Sequence, residues 1–394
     1  MGCSNPLGVV PPRSLAAPKC PPNLPRLILA TRSLHRPQKE PPILSADIEY
    51  LDSLRASVID ALKVAIGTSR EVAIVDAPNQ RNVGDSLIWA GELAFLARMG
   101  LRIKYVADLW SYDPRALRRA LPEGGVVLLH GGGNFGDLWI GHQLIREEVI
   151  RDLPDYRIVQ LPQSIYFKDE ARAAAADKVM GAHPDLHILI RDSLSMERAE
   201  KQLPSLDVRF CADMALGWDP PQRPSSSAEK TDVVVIARED MEASSGLAEI
   251  GPLWLDGTPV HVTDWYPRGA MAVQWRLARG GSLACRTYVK IRRRVPALPA
   301  GAPDRVGGWA LDNVNRVNVA GAVKLYGSAR AVVTDRLHAH VLSALLGVPH
   351  VALDNSYGKV SGIYRDYTGG FSTAHYARSL PEAQSLAREL VAQK

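Results

Sequence analysis

From about residue 46 onward the chain alternates two patterns of apolar and polar positions. Short, nearly unbroken apolar runs stand at Val72–Val75, Ile103–Val106, Val126–Leu129, Arg157–Leu161 and His187–Ile190. Between them lie segments with helical apolar spacing, among them Asp85–Met99 and Glu170–Met180, and an amphipathic stretch from Ala46 to Ile66 opens the series. Short continuous apolar runs are strands buried on both faces, and their alternation with helices predicts parallel sheets. The pattern breaks between Gly217 and Thr231, where Pro220, Pro221, Pro224 and the run Ser225–Ser227 leave no apolar period; this reads as a linker. It then resumes at Val233–Ile236, Val260–Val262, Ala331–Val333 and His350–Leu353. The expected fold class is therefore α/β, with two doubly wound parallel-sheet domains facing a cleft. The expected units are an N-terminal domain over residues 46–220, a linker over 221–231 and a C-terminal domain over 232–394. Residues 1–45 are rich in proline without apolar period and read as a disordered extension. A chain of 394 residues is long for a single core, which agrees with two domains.

Composition changes this picture little. Apolar residues make up 46% and charged residues 23%, an ordinary globular balance. The net charge is +5, densest at Lys290, Arg292, Arg293 and Arg294. No aromatic platform or zinc-finger spacing accompanies that cluster, so nucleic acid is not expected as a partner. Anionic substrates or an anionic membrane surface would suit the charge equally, and a solvated face is the plainest reading. Four widely spaced cysteines without a CxxC pair fit a reducing compartment. No apolar stretch is long enough to span a bilayer, and the proline-broken N-terminus is not a secretory signal. The expected location is the cytoplasm, with peripheral contact at the inner face of the membrane as an option.

The residues suited to chemistry gather after predicted strands, where ligands of open α/β sheets bind. The run Val126–Leu129 leads into His130-Gly131-Gly132-Gly133-Asn134-Phe135-Gly136-Asp137. Gly131, Gly132 and Gly133 allow backbone N–H groups to approach a ligand, and this reads as a polar ligand-binding turn. A GxGxxG spacing is present, but the following strand offers Gln160 and Gln163 where a dinucleotide site needs an acid. Asn82-Val83-Gly84-Asp85 precedes a long helix, so capping by Asn82 or Asp85 competes with a catalytic role. In Asp335-Arg336-Leu337-His338-Ala339-His340, Leu337, Val341 and Leu345 recur at helical spacing. Arg336 and His338 are then expected in a first helical turn, a place suited to an anion. Arg191-Asp192 and Asp354-Asn355-Ser356-Tyr357-Gly358-Lys359 complete the set, with Asn355 and Lys359 as binding residues. There is no DxD, P-loop, GxSxG or HExxH, and neither metal nor cofactor is expected.

Taken in order, Asn82–Asp85, Gly131–Asp137, Gln160-Leu161-Pro162-Gln163-Ser164, Arg191-Asp192, Cys211-Ala212-Asp213, Asp335–His338 and Asp354–Lys359 resemble the polysaccharide pyruvyl transferases over residues 72–367. The resemblance implies a fold like that of two-domain glycosyltransferases. It also implies transfer of pyruvate from phosphoenolpyruvate to a saccharide, free or lipid-linked, as a cyclic ketal. Arg336, Arg191 and His338 would serve the donor, His338 as general acid, with much of that site on the C-terminal domain and the acceptor on the N-terminal one. Protonation at C3 makes C2 of an enol phosphate electrophilic, which is why an acid beside two cationic forks suits this reaction. Asp85 or Asp137 would deprotonate the sugar hydroxyls, and Asn82, Gly84, Asn134 and Gln163 would line the site. A glycosyltransferase using a nucleotide sugar and a non-catalytic saccharide-binding protein are the alternatives. Residues 1–70 and 240–310 match nothing in the family pattern.

Overall fold

The computed structural model describes residues 45–220, 232–238, 244–255, 257–295, 297–299, 301–327, 329–356 and 358–392. The linker 221–231, nearly all of the N-terminal extension, and Tyr357 lie outside the described residues. The first sheet is built from β1 (Glu71–Val75), β2 (Arg102–Ala107), β3 (Val126–Leu129), β4 (Gly132–Gly136), β5 (Arg157–Tyr166), β6 (Leu186–Ile190) and β7 (Val208–Phe210). Its order is β2-β1-β3-β5-β6-β7, with β4 paired to β5. The second sheet holds β8 (Asp232–Ile236), β9 (Val260–Thr263), β10 (Ala329–Thr334), β11 (His350–Ala352) and β12 (Ala374–Tyr376) in the order β12-β11-β10-β8-β9. Every pairing in both sheets is parallel.

Helices cover both faces of the first sheet: α1 (Ser45–Ile66), α2 (Val83–Arg98), α3 (Pro114–Ala120), α4 (Ile140–Asp152), α5 (Glu170–Gly181) and α6 (Ser193–Gln202). The second half adds α7 (Ala270–Arg294), α8 (Ala302–Tyr326), α9 (Leu337–Leu345), α10 (Lys359–Asp366) and α11 (Leu380–Ala392). Strand alternation divides the core. Val72 and Ile74 of β1 face one cluster, while Ala73 and Val75 face another. The first cluster also takes Val234 and Ile236 of β8, Val332 of β10 and much of α9. The two sheets therefore share one continuous apolar core, with a further cluster on the far side of each. Helix α1 spans the two halves. Its Arg55 donates to the carbonyls of Leu216 and Trp218, its Tyr50 hydroxyl to the carbonyl of Tyr367, and its Asp47 accepts the Ser372 N–H.

The glycine segment departs from the sequence expectation. It is not a turn into a helix but a strand: β4 continues β3 along the same edge of β5 after a break at His130-Gly131. Helix α4 starts only at Ile140. Strand β5 in turn runs beyond Leu161, through Pro162, to Tyr166. Proline has no N–H to donate to a ladder. Here it sits between Gln160 and Gln163, where the register towards β6 shifts and the β3 pairing gives way to β4. Helices α7 and α8 occupy much of the stretch that matched no family pattern.

Candidate active site

Two buried glutamines hold the glycine strand in place. Gln163 donates to the carbonyl of His130 (2.9 Å) and to Asn134 Oδ1 (2.8 Å), and accepts the Asn134 N–H (3.1 Å). Gln160 donates to the carbonyls of Leu129, His130 and Leu161. Arg146 of α4, buried over the Phe135 ring, joins Gln160 Oε1 (2.6 Å) to Asn134 Oδ1 (3.0 Å). From α2, Glu92 accepts the Gly131 N–H at 2.8 Å and meets His130 Nδ1 at 2.9 Å. The polar groups of Asn134 and Gln163, expected to meet substrate, thus hold the backbone that the site is built on.

Beside this strand lies a buried cluster drawn from both sheets. Arg191 follows β6; its Nε donates to Ser164 Oγ at 2.9 Å and its Nη1 to Asp213 Oδ2 at 2.6 Å. Ser164 donates to Asp192, whose other oxygen caps α6 through the Ser195 N–H. The same Asp213 oxygen lies 3.3 Å from Nε2 of His338, the second residue of α9, and Arg191 Nη1 is 3.4 Å from that nitrogen. Asp213 is itself fixed: its Oδ1 accepts the Ala215 N–H at 2.7 Å, and its N–H donates to the Tyr367 hydroxyl at 3.2 Å. Burial alone would raise the Asp213 carboxyl, but Arg191 and His338 outweigh it and hold it well below the usual carboxylate range. An ionised carboxylate is thereby kept inside the protein between an arginine and a histidine.

Two glycines let this cluster close. A Cβ on Gly84, in the first turn of α2, would stand 2.7 Å from His338 Nδ1. A Cβ on Gly133 would stand 2.8 Å from Lys359 Nζ and 3.0 Å from Arg191 Nη2. Lys359, the first residue of α10, donates from Nζ to the Gly133 carbonyl at 3.1 Å, and its N–H goes to Asn355 Oδ1 at 3.0 Å. The side chains of His338, Lys359 and Arg191 thus occupy space that a Cβ at either glycine would need. Lys359 and Arg191 come together at Gly133, and Arg191 reaches His338 at 3.4 Å.

The other expected residues are distributed as follows. Asn82 caps α2, accepting the Gly84 N–H at 2.9 Å, and donates to Asp85 at 2.8 Å. Asp85 also accepts from Gln80 and faces the backbone of Gly132. Asp137 is engaged elsewhere, by the N–H groups of Lys168 and Asp169 ahead of α5. Arg336 is the N-cap residue of α9 and not part of its first turn. Its guanidinium reaches the Ala237 carbonyl (3.2 Å) and Asp264 (3.1 Å), beyond the ends of β8 and β9. Helical direction separates it from His338, because the cap residue lies before the helical path that carries the histidine.

Sequence reasoning assigned no site role to Asp213, although it lies in one of the quoted motifs. It also missed Asp76, which directly follows β1. Asp76 is buried at φ 68°, a left-handed conformation unusual for a residue other than glycine, and its carboxylate meets His142 Nδ1 at 2.8 Å. Burial would lower the His142 pKa, but Asp76 more than offsets this and raises it. The strand-end rule that found Arg191 would have found Asp76 too; nothing in the sequence pairs it with His142. Among the described residues no group of three or more His, Cys, Asp or Glu side chains is disposed to hold a metal ion.

The chain is similar to known proteins over most of its length. Over 339 residues the chain is 27% identical to EpsO of Bacillus subtilis, named as a pyruvyl transferase, covering 85% of this chain and 96% of that one. Over 310 residues it is 27% identical to pyruvyl transferase 1 of Schizosaccharomyces pombe, covering 76% of this chain and 70% of that one. The crystal structure of an uncharacterized Klebsiella pneumoniae protein is similar with a TM-score of 0.49 at 15% identity, over 86% of this chain and 100% of that one. The polysaccharide pyruvyl transferase profile matches residues 82–357, a span from the cap of α2 to the turn before α10 that contains Arg191, Asp213 and His338. With that match over more than half of its length, the chain belongs to the polysaccharide pyruvyl transferase family, and the protein is an enzyme that transfers pyruvyl groups to saccharide.

Proposed function

We propose that the donor is phosphoenolpyruvate, bound around Gly133 and His338, and that the product is a cyclic ketal of pyruvate on the saccharide. The observation that carries this reading is the meeting of Arg191 and His338 on one ionised carboxylate, Asp213, with Lys359 beside Arg191 at Gly133. A trianionic donor needs cationic partners in a desolvated place, and an arginine fork beside a lysine supplies them. His338 meets Asp213 through Nε2, and its Nδ1 faces Gly84.

In this scheme His338 protonates C3 of the enol phosphate, and C2 becomes electrophilic. A sugar hydroxyl adds to C2, inorganic phosphate departs, and a second hydroxyl closes the ketal with loss of a proton. Arg191 and Lys359 balance the charge that gathers on the leaving phosphate. Asp85, held at the start of α2 and facing Gly132, is the carboxylate suited to receive hydroxyl protons. Asp137 is not, since the backbone N–H groups of Lys168 and Asp169 occupy it. Protons and cationic side chains carry every step without a metal or cofactor.

The test is phosphate release from phosphoenolpyruvate with a panel of glycosides and no added divalent ion, with mass spectrometry of the acceptor. A product heavier by a ketal pyruvate is expected. His338→Ala should lower kcat by about 10²–10⁴, as loss of a positioned acid does. Release that needs no His338, or activity found only after a divalent ion is added, would overturn the scheme.

A further inference from the structure

Helix α7 has one face committed to the protein and one that is not. On the committed face Arg279 donates to Asn79 (2.5 Å), Arg286 to Asp108 (2.9 Å), and Arg292 to both Asp113 (2.9 Å) and Asp304 (2.7 Å). These contacts fasten the helix across the loops after β1 and β2. Arg292 therefore does not belong to a solvated cluster, as its neighbours in sequence suggested; it is buried between two carboxylates.

The opposite face is apolar and open. At about 100° per residue, Val273, Leu277, Ala284, Ile291 and Val295 fall within about 40° of one line along the helix. Leu277 is 73% exposed, and Val273, Ile291 and Val295 are exposed as well. Along one side of that line, about 60–100° away, run Arg276, Lys290 and Arg294, all exposed. Every charged residue of α7 is basic. At the start of α8, which packs against α7, Val306 and Trp309 are exposed, the indole at 60%. A monomer in water gains nothing from an open apolar line of this length. An apolar line flanked by cations is the form that lies in a lipid interface. No described helix is long and apolar enough to cross a bilayer, so contact would be along the surface.

We propose that the outward face of α7, with the first turns of α8, docks on an anionic bilayer. The cationic flank without a single acid selects anionic lipid as the occupant. Docking would hold the enzyme where a lipid-linked saccharide is presented; that last clause rests on the reading of the reaction above, whereas the docking does not.

The experiment is co-sedimentation of the full chain with vesicles of phosphatidylglycerol and phosphatidylcholine, against phosphatidylcholine alone. Binding is expected to the anionic vesicles, and to weaken in 0.5 M salt. Each cation at the surface adds about fivefold to the affinity. Arg276→Glu with Arg294→Glu should therefore weaken binding by at least about 25-fold. Leu277→Glu with Ile291→Glu should abolish it. Both double variants should keep the wild-type melting temperature and wild-type transfer to a soluble glycoside, a readout that separates failure of docking from failure of the reaction scheme. Wild-type protein that stays in the supernatant with anionic vesicles overturns the proposal, as does binding that the variants leave unchanged. So does a dimer in solution that Leu277→Glu dissociates, which would assign the face to a second copy of the chain.

Discussion

Replacement of Gly84 by alanine tests how closely the two halves of the site are fitted. The new Cβ would stand 2.7 Å from His338 Nδ1, 3.2 Å from His338 Cγ and 3.2 Å from Asn82 Oδ1. Ordinary contact begins at 3.4 Å, so the imidazole would have to retreat by about 0.7 Å. It has little room for this, since Asp213 lies 3.3 Å and Arg191 3.4 Å from its Nε2. Two effects then oppose one another. Alanine is the better helix former by about 1 kcal/mol, and that would stabilise α2. Forcing a methyl into a filled space costs about 1–3 kcal/mol. The second is the larger here, because the group in the way is a ring clamped from behind. Misplacing a catalytic group by 1 Å costs up to about 10² in rate. We therefore expect kcat to fall roughly 10–100-fold, with a melting temperature equal to or below that of the wild type. Steady-state phosphate release and a thermal melt read the two quantities. A variant with a raised melting temperature and kcat within twofold of the wild type would refute the fit between α2 and α9.

Asp213→Asn should destabilise the protein by about 3–5 kcal/mol at neutral pH, because Arg191 loses the carboxylate that compensates its buried charge. The folded pKa of Asp213 is depressed, so its contribution is present above the unfolded value of about 3.9 and drains away as the pH falls below it. Urea titrations from pH 7 to pH 3 should show the gap between variant and wild type narrowing; a gap that widens on acidification would contradict the ion pair. His340→Ala should behave unlike His338→Ala. His340 meets His350 at 2.7 Å and Thr368 at 2.6 Å, and burial holds both histidines neutral, His350 down to about 4. Its loss leaves buried polar atoms unpaired at about 1–3 kcal/mol each, so the melting temperature should drop while kcat at low temperature stays near that of the wild type. A tenfold loss of kcat in folded His340→Ala would move this residue into the reaction.

Most strands of both sheets were legible, since a strand buried on both faces must be a continuous apolar run. Strands β4, β7 and β12 were not. In β4 the residues are Gly132-Gly133-Asn134-Phe135-Gly136, with no apolar run to recognise; it is a strand because β5 offers it an edge and Gln163 ties it down. Helix α7 was missed for a related reason. Its apolar line faces outward and its inner face is held by arginines, the reverse of the pattern by which a core helix is recognised.

At the site, the chain order of short polar motifs was enough to name the family, and it offered Arg191, Arg336, His338 and Lys359 as candidates, because each lies at a strand end or a helix start. Local sequence also fixed the caps: Asn82 and Asp192 each accept a backbone N–H that the helix itself leaves unpaired. What each side chain meets was settled only in three dimensions. Arg191 and His338 are separated by 147 positions and lie 3.4 Å apart. Asp213 became their common partner because the turn after β7 packs beneath α9, and Arg336 turned to Asp264 because it stops one residue short of the helix. Periodicity and capping depend on neighbours within a turn or two of the chain, so sequence alone determined them. A buried ion pair between sheets depends on how two cores merge, and that is a property of the packed whole.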